Sequence, residues 1–406
     1  MPNLIPVTTS RIGEHLPLID LLPAQNLVSW VRNNEGLVGW GVHATTTVSG
    51  RNRFEDARTW WHQQLGKLAI ADSVHLSGTG PVLFTSFSFD RNDESVLVIP
   101  QVIVGKKGSN SWITWIGDNA QPPLLQSPEK LTATNFSFSE GTITASDWMK
   151  RVSQAIEKVS TNQVDKVVLA RDVIATSDSD IEERLILKRL AAEYPSTWTF
   201  AVDGLVGATP ELLLRLSRGM VTSRVLAGTI PKTGDDEKDL ALAASLARSS
   251  KDLEEHEYAV RSVAEALEPF CSSTNVPESP YVLHLANVMH LATDVTGALV
   301  ESKQQVDAFS LLKSLHPSAA VCGTPRNIAF DIINEIEGMN RGRYAGPVGW
   351  IDAGGDGELG IALRTGQITG REVRIFAGCG IVAASIPEKE LEESNAKMIP
   401  MRSALH

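Results

Sequence analysis

The sequence predicts an α+β fold in which a large antiparallel β core carries flanking helices. Residues 1–140 consist mostly of short alternating apolar segments separated by polar and glycine-containing turns, which is typical of antiparallel strands. Residues 344–376 contain further segments of this kind, joined by glycine turns. Between these two regions, apolar residues recur at every third or fourth position in several segments and predict amphipathic helices.

The N-terminal third is predicted to form strands around one helix. Alternation predicts strands at residues 37–43, 82–89, 95–104 and 112–117. The helix is predicted at residues 54–70, where one side carries Phe54, Ala57, Trp61 and Leu65. No set of residues here suggests catalysis, and a polar stretch at residues 121–141 follows. We therefore expect residues 1–140 to be a mainly antiparallel portion and residues 145–403 the catalytic portion of one structural domain.

A helix and a strand open the catalytic portion. Ser146 is a favourable N-cap for a helix that extends to residue 159. In the next strand, residues 164–174, the period-2 alternation puts Lys166 on the same face as Val168. A lysine on an apolar face either reaches water at the end of the sheet or is desolvated, which favours the neutral amine. In the second case Lys166 could act as a general base.

The stretch at residues 206–229 places a carboxylate next to a turn. An apolar strand ends at Thr209 and Pro210, Glu211 follows, and the returning strand ends at Gly228 and Thr229. Glu211 could face a pocket, and the glycine and the hydroxyl could receive a ligand. The same pattern also fits a plain β-hairpin with a solvated glutamate, so the segment alone leaves both interpretations open.

Two predicted helices carry acidic residues that share a face. Asp252 and Glu255 lie three residues apart, and Glu390 and Glu393 repeat that spacing in the last helix, with Lys397 one turn further on. Acidic residues early in a helix often only complement the helix dipole. If the two pairs converge across a pocket, however, their oxygen atoms would form a site suited to Mg²⁺.

The C-terminal strands suggest an anion-binding surface. A strand predicted at residues 359–365 places Arg364 beside the small residues Gly360 and Ala362, which leaves room for a carboxylate that the guanidinium could hold. The glycine-rich segment 377–380 is predicted to be a loop that offers backbone N–H groups to the same anion.

Composition argues against several classes of partner. The chain has 406 residues, a formal net charge of −11 and no long basic run, so nucleic acid and anionic membranes are not expected as partners. No apolar run approaches the ~20 residues that cross a bilayer, and no signal peptide is expected at the N-terminus. The three scattered cysteines suggest a reducing compartment, so a cytoplasmic protein is expected.

Several ordered blocks carry a resemblance to a known family. They are KVVLAR, GATPELLLR, LAGT, KDLEEHE, VMHLAT, LHPSAAVCGTP, RGRYAGPVGW, LGIALR, AGCGIV and PEKELEESNAK. In this order they resemble the signature of the chorismate-utilising enzymes, which include isochorismate, salicylate, anthranilate and aminodeoxychorismate synthases. The resemblance covers about residues 146–403. It implies the fold of that family, chorismate as the substrate and Mg²⁺ as the cofactor.

The resemblance also implies a role for each candidate residue. Lys166 matches the lysine that activates water for attack at C2 of chorismate, and Glu211 matches the acid that protonates the leaving C4 hydroxyl. The metal ligands of the family match Glu255 and Glu393, with Asp252 and Glu390 beside them. The remaining matches are substrate contacts at Gly228, Thr229, His290, Ala320, Tyr344, Arg364, Gly378 and Lys397.

Two positions distinguish the members of the family. Members that add ammonia lack a lysine at the position of Lys166, so its presence favours water as the nucleophile. Ala227 stands where aminodeoxychorismate synthases have a nucleophilic lysine, which argues against covalent addition. No glutamine amidotransferase domain is recognisable, so no amidotransferase subunit is expected, and nothing in the sequence demands more than a monomer.

These features favour an isochorismate synthase, which interconverts chorismate and isochorismate without a redox cofactor. The main enzymatic alternative is a salicylate synthase, which also eliminates pyruvate; Ala320 and Val321 at the expected ring pocket are closer to the isochorismate type. The alternative from another class is a catalytically silent regulator that binds chorismate or metal. Lys166 and Glu211 argue against it, because a binding protein needs neither acid nor base. The sequence leaves open whether the product serves menaquinone or siderophore biosynthesis.

Overall fold

The computed structural model describes residues 4–13, 17–119, 121–123, 125, 131–300 and 306–406. The N-terminal segment, where no signal peptide is expected, therefore lies partly outside the described residues. The same holds for the polar stretch at residues 121–141. The elements of the N-terminal portion are β1 (Ile5–Arg11), β2 (Leu27–Arg32), β3 (Glu35–Trp40), β4 (Ala44–Val48), α1 (Arg53–Leu65), β5 (Leu68–Asp72), β6 (Val82–Ser86), β7 (Ser95–Ile99), β8 (Val102–Lys107), β9 (Asn110–Ile116) and β10 (Phe136–Glu140).

The catalytic portion continues this numbering. Its elements are α2 (Ala145–Ser160), β11 (Lys166–Ser177), α3 (Glu183–Glu193), β12 (Trp198–Val202), β13 (Leu205–Thr209), β14 (Leu212–Ser217), β15 (Met220–Pro231), α4 (Asp236–Leu246), α5 (Ser250–Leu267), β16 (Cys271–Asn275), β17 (Tyr281–His284), β18 (Val288–Leu299), α6 (Ala308–Leu315), β19 (Gly323–Thr324), α7 (Arg326–Ile336), β20 (Pro347–Asp352), β21 (Gly357–Ile361), β22 (Thr365–Thr369), β23 (Glu372–Ile381) and α8 (Pro387–Leu405).

Strands from both portions form the same two sheets. The larger sheet has the order β10-β11-β23-β22-β13-β12-β2-β3-β8-β9-β1-β5, with β19 beside β11. The other sheet has the order β16-β18-β15-β14-β21-β20-β6-β7-β4, with β17 beside β18. Among the described strands only β1 and β5 pair in parallel. Because β12 pairs with β2 and β20 with β6, we propose that the two portions form one structural domain.

The two sheets pack against each other through a buried aromatic cluster. Trp30 and Phe200 of the larger sheet lie in the same cluster as Phe84, Leu212 and Trp350 of the other sheet. Helices cover the strands that matter for the site: α5 packs on β15 and β18, α8 on β23, and α2 and α7 on β11. The helices that carry the candidate acidic pairs therefore lie directly over strands that carry other candidate residues.

The predicted α+β class with a large antiparallel core and flanking helices is confirmed, while several boundaries differ. The helix predicted at residues 54–70 ends at Leu65, because residues 68–72 pair with β1. The single strand predicted at residues 95–104 is two strands, since the chain passes at Pro100 and Gln101 from one sheet to the other. Proline lacks the N–H that a continuous ladder would need. The N-cap of α2 is Thr144 rather than Ser146, and its side chain accepts the N–H of Asp147.

Two predictions about the C-terminal strands are wrong. The strand predicted at residues 359–365 ends at Ile361, and the next strand begins at Thr365 in the other sheet. Arg364 therefore lies in the connecting segment, with a positive φ of 51°, and does not share a strand face with Gly360. Residues 377–380 are not a loop but the end of β23, which pairs with β11.

Among the described helices, none has both the length and the apolar character needed to cross a membrane.

Candidate active site

One cavity collects most of the candidate residues. Its volume is about 680 Å³. The candidates that line it are Glu211, Gly228, Thr229, Glu255, His290, Ala320, Tyr344, Arg364, Gly378 and Lys397. Four candidates do not line it, namely Lys166, Asp252, Glu390 and Glu393. Lys166 and Glu393 are nevertheless in contact with the wall, through ion pairs with Glu255 and Lys397.

Lys166 is the first residue of β11 and is fully buried, so of the two positions left open for a lysine on an apolar strand face it adopts the desolvated one. Its Nζ lies 3.1 Å from Oε1 of Glu255 on α5, and no described residue offers it a well-aligned hydrogen bond. Gly380 makes this approach possible, because a Cβ there would collide with the Glu255 carboxylate and lie 2.8 Å from Cε of Lys166. Burial raises the pKa of Glu255, but Lys166 and Lys397 outweigh it, so the pKa is lowered and Glu255 is ionised.

Glu211 occupies the junction between β13 and β14, and its side chain faces the cavity. Its backbone N–H donates to Oγ1 of Thr209 at 3.3 Å, and its carbonyl accepts the N–H of Ile361 at 3.2 Å, which fixes the junction. Glu211 is only 4% exposed. Burial raises the pKa of its carboxyl to about 8, against the opposing fields of Lys166 and Lys397. Of the two interpretations left open, the pocket-facing acid is the one that the structure supports.

His290 and Arg364 form a hydrogen-bonded pair on the cavity wall. Nη2 of Arg364 lies 3.1 Å from Nε2 of His290, whose Nδ1 lies 3.1 Å from the carbonyl oxygen of Gly228. Because a guanidinium can only donate, Nε2 accepts and the proton is on Nδ1. Burial and the charge of Arg364 hold the pKa of His290 well below its usual value, which agrees with a neutral ring. Nη1 of Arg364 is buried without a partner among the described residues.

Lys397 adds a second cation to the same wall. Its Nζ donates to the carbonyl oxygen of Gly378 at 2.9 Å and lies 2.5 Å from Oε1 of Glu393. Tyr344 stacks on Phe376 with ring centroids 5.0 Å apart, and a Cβ at position 378 would lie 3.0 Å from its hydroxyl. Glycine at this position therefore lets the tyrosine hydroxyl reach the wall.

The two helices that carry the acidic pairs lie next to each other, since Lys251 of α5 contacts Glu390 of α8. Burial raises the pKa of Asp252, and repulsion from Glu255 and Glu393 raises it further. Carboxylates of α5 and α8 are therefore close enough to influence each other's charge. Glu390 is buried against Lys251 at 2.9 Å, and burial together with Glu393 raises its pKa. Such mutual repulsion is what a divalent cation would relieve, and carboxylate oxygens are the donors that Mg²⁺ prefers.

Cys379 is a neighbour of these carboxylates that sequence reasoning missed. Its Sγ and one oxygen each of Glu390 and Glu393 lie within 4.8 Å of one another. Burial raises the pKa of the thiol well above its usual value, so it stays protonated and is a poor ligand for a hard cation. The oxygen donors fit Mg²⁺, whereas the sulfur does not.

The model of the chorismate-binding enzyme family matches residues 23–406. The chain belongs to the chorismate-binding enzyme family. This confirms the resemblance seen in the ordered sequence blocks.

Two relatives of this family are similar over most of their length. The isochorismate synthase MenF of Bacillus subtilis is 33% identical over 404 residues, which cover 91% of this chain and 85% of the relative. The salicylate biosynthesis isochorismate synthase of Pseudomonas aeruginosa is 38% identical over 412 residues, covering 93% and 84%. The solved structure of MenF, the menaquinone-specific isochorismate synthase of Escherichia coli, shares the fold with a TM-score of 0.82 over 99% of this chain and 95% of that chain, at 23% identity.

A buried ion pair behind the cavity of this chorismate-binding enzyme was not predicted. Arg341 lines the cavity, donates from Nε to Oε1 of Glu337 at 2.7 Å and from Nη1 to the carbonyl of Val321 at 2.8 Å. Its Nη2 donates to the carbonyl of Val168 at 2.8 Å. The pair therefore ties the loop that carries Val321 to β11. The i,i+4 spacing was visible in the sequence, but the burial of both residues was not.

Proposed function

We propose that this protein is an isochorismate synthase, which adds water at C2 of chorismate and releases the C4 hydroxyl in a reversible reaction. The observation that carries the proposal is Glu211: a buried carboxyl with a pKa near 8 shares a cavity with an arginine that has an unused donor. A protonated acid beside an anion-binding group is what the departure of a hydroxide from a dianion requires. The isochorismate synthases among the relatives support the same activity.

The cavity offers two cations to the two carboxylates of chorismate. Arg364 presents Nη1, which has no described partner, and Lys397 lies at the same wall. Neutral His290 fixes the plane of the guanidinium without adding charge. We assign to Arg364 the main role in holding a substrate carboxylate. The other substrate contacts are assigned to residues that line the rest of the cavity, namely Gly228, Thr229, Ala320, Tyr344 and Gly378.

The acid and the base are assigned to opposite steps of the exchange. Glu211 protonates the leaving hydroxyl at C4, because its carboxyl carries a proton near neutral pH. Lys166 accepts the proton of the attacking water. Because an ammonium cannot accept a proton, Lys166 must act as the neutral amine, and its ion pair with Glu255 at 3.1 Å must open first. The base role therefore depends on a change in the Lys166 contact during the catalytic cycle.

We propose that Glu255 and Glu393 hold Mg²⁺, with Asp252 and Glu390 beside them directly or through water. The bound cation would offset the charge of a substrate carboxylate in an acidic site. Titration calorimetry of Mg²⁺ into wild type and Glu393→Ala tests the ligand set without reference to turnover, and Glu393→Ala should bind at least tenfold more weakly. Full activity in excess EDTA would contradict the metal requirement.

Product analysis tests the activity itself. Purified protein is incubated with chorismate and Mg²⁺ without ammonia, and products are identified by chromatography and mass spectrometry. Isochorismate in equilibrium with chorismate is expected. Salicylate with stoichiometric pyruvate would move the assignment to a salicylate synthase, and the absence of any product would revive the silent regulator.

We further propose that the enzyme works in the cytoplasm as a monomer and without an amidotransferase subunit. The cysteines Cys271, Cys322 and Cys379 are all free thiols, which suits a reducing compartment. Water as the nucleophile requires no delivered ammonia. Light scattering coupled to size-exclusion chromatography, with the measured mass compared with 44.0 kDa, tests the monomer.

A further inference from the structure

A second cavity carries a concentration of positive charge in a chain that is acidic as a whole. It lies between the start of α1, the segment after β6 and the start of α7, with a volume of about 1100 Å³, and it shares no lining residue with the active-site cavity. Arg51, Arg53, Arg91 and Arg326 line it, and Asp331 is the only acidic residue in the described lining. Lys313 also lines it but is ion-paired with Glu55. The lining is therefore strongly cationic although the net charge of the chain is −11.

Arg53 is the buried centre of this charge. It is 6% exposed, and its Nε is buried without a hydrogen-bond acceptor. Among the described residues its guanidinium has no ion-pair partner, although Asp90 contributes a favourable field. Burial and the charge of Arg91 lower the pKa of Arg53 to about 10, so the group is still charged at neutral pH. Its Cζ lies 4.7 Å from the centroid of the Phe54 ring. A buried cation without an anionic partner is still costly for folding, and such groups are generally partnered.

The N-terminus of α7 adds donors that point to an anion. Arg326 and Asn327 of its first turn line the cavity. The N-cap is Pro325, which makes no side-chain hydrogen bond, and the first turn of this 11-residue helix has no acidic residue. The N–H groups and the positive end of the helix dipole are therefore uncompensated, which favours a bound anion.

Apolar walls stand beside the cations. Phe330 lines the cavity together with Pro317, and its ring stacks on Phe89 with centroids 5.7 Å apart. Cations next to half-buried rings suit a ligand with an apolar body as well as negative charge.

We propose that this cavity is a second binding site, for a small organic dianion of the aryl phosphate or aromatic dicarboxylate class. The guanidinium of Arg53 and the start of α7 hold the anionic groups, and Phe330 and Pro317 contact the ring. The site is independent of the substrate cavity and of the activity assigned there.

Titration calorimetry of the full chain tests the site with three probes, namely phenyl phosphate, phthalate and inorganic phosphate. We expect phenyl phosphate, phthalate or both to bind at least tenfold more tightly than inorganic phosphate. The preferred probe identifies the phosphoryl or the carboxylate class. Failure of both organic probes to bind, or equal affinity for inorganic phosphate, overturns the proposal.

Substitutions locate the binding. Arg53→Gln should weaken it at least tenfold, and Arg91→Gln, an exposed residue whose loss does not threaten folding, at least threefold. Two controls should remain within twofold of wild type: Arg364→Gln in the substrate cavity, and Arg261→Gln, whose guanidinium pairs with Glu257 on the surface. Binding that is lost in Arg364→Gln and retained in Arg91→Gln would place the anion in the substrate cavity and overturn the proposal, whatever reaction the enzyme proves to catalyse.

Discussion

Two buried ion pairs lie close to the substrate cavity, and they differ in how well their hydrogen bonds are satisfied. In the Arg341–Glu337 pair the guanidinium donates to both carboxylate oxygens and to the carbonyls of Val321 and Val168, and Oε2 of Glu337 also accepts the N–H of Ala170 at 2.7 Å. In the Lys166–Glu255 pair a fully buried ammonium has one contact at 3.1 Å and no aligned hydrogen bond.

The difference separates a structural pair from a functional one. A satisfied network fixes one geometry, since every change of partner would leave a buried group unpaired. An under-satisfied pair can exchange partners at little cost. We therefore expect substitutions in the first pair to affect stability and substitutions in the second to affect turnover.

The largest expected effect is on turnover when Lys166 is replaced. Lys166→Met should lower kcat by about 10³-fold, in the range typical of a lost general base. The fold should persist, because Lys397 and Lys251 still stabilise Glu255. Circular dichroism and the rate of isochorismate formation check both parts. Lys158→Met, which removes an ion pair with Glu335 at the surface, is the matched control. A kcat for Lys166→Met within tenfold of wild type would refute the base assignment.

The next effect is on stability when the satisfied pair is broken. Arg341→Met leaves Glu337 as an unpaired buried charge and should lower the free energy of unfolding by about 3–5 kcal/mol. Denaturant titration measures it. Glu337→Gln combined with Arg341→Met should recover part of the loss, because the isolated charge is then absent. A stability loss below about 1 kcal/mol for Arg341→Met would remove the distinction between the two pairs.

A smaller effect is expected at the anion contact. Arg364→Gln removes a charged donor worth about 1.5–3 kcal/mol, so KM for chorismate should rise about 10- to 100-fold. Steady-state kinetics should show that most of the change is in KM rather than in kcat. Arg215→Gln, whose guanidinium pairs with Glu358 outside the cavity, should leave KM unchanged. An unaltered KM in Arg364→Gln would show that the substrate carboxylates bind elsewhere.

The effect that is smallest per step of the varied quantity, here one pH unit, is the pH dependence set by Glu211. Its pKa in the folded protein, about 8, lies above the ordinary value of 4.5, so kcat/KM should fall above about pH 8 as the acid ionises. The folded state retains this proton where the unfolded state loses it, so Glu211 lowers the free energy of unfolding as pH rises from 4.5 to about 8. The stability of Glu211→Gln relative to wild type should increase over that window, by at most about 1.4 kcal/mol per pH unit. A pH-independent difference would contradict the shifted carboxyl.

Sequence reasoning predicted what depends on local periodicity. The alternation around Lys166 predicted that it shares a strand face with Val168, without deciding between burial and contact with water, and the i,i+3 spacing predicted that Asp252 and Glu255 face one way. The class of the fold followed from the same patterns. Alternation does not indicate which sheet a strand joins. The passage of the chain from one sheet to the other between Ile361 and Thr365 was therefore missed. The pairing of residues 377–380 with β11 was missed as well.

Contacts between distant parts of the chain account for the rest. The bonds from Arg341 to Val168 and the proximity of Cys379 to Glu390 and Glu393 join segments that no local pattern relates. The family resemblance supplied candidate roles for single residues, but it did not indicate that Lys166 would be ion-paired with Glu255.

The pairing of β20 with β6 and of β11 with β23 has a consequence for synthesis on the ribosome. Residues 82–86 pair with residues 348–352, and residues 167–176 with residues 372–381, so both sheets stay incomplete until nearly the whole chain has emerged. Domains with such distant pairings fold slowly, and their unpaired strand edges are prone to aggregation in the meantime. We expect nascent chains of this enzyme to depend on chaperones that bind unpaired strands. The yield of folded enzyme should fall when translation is fast relative to folding.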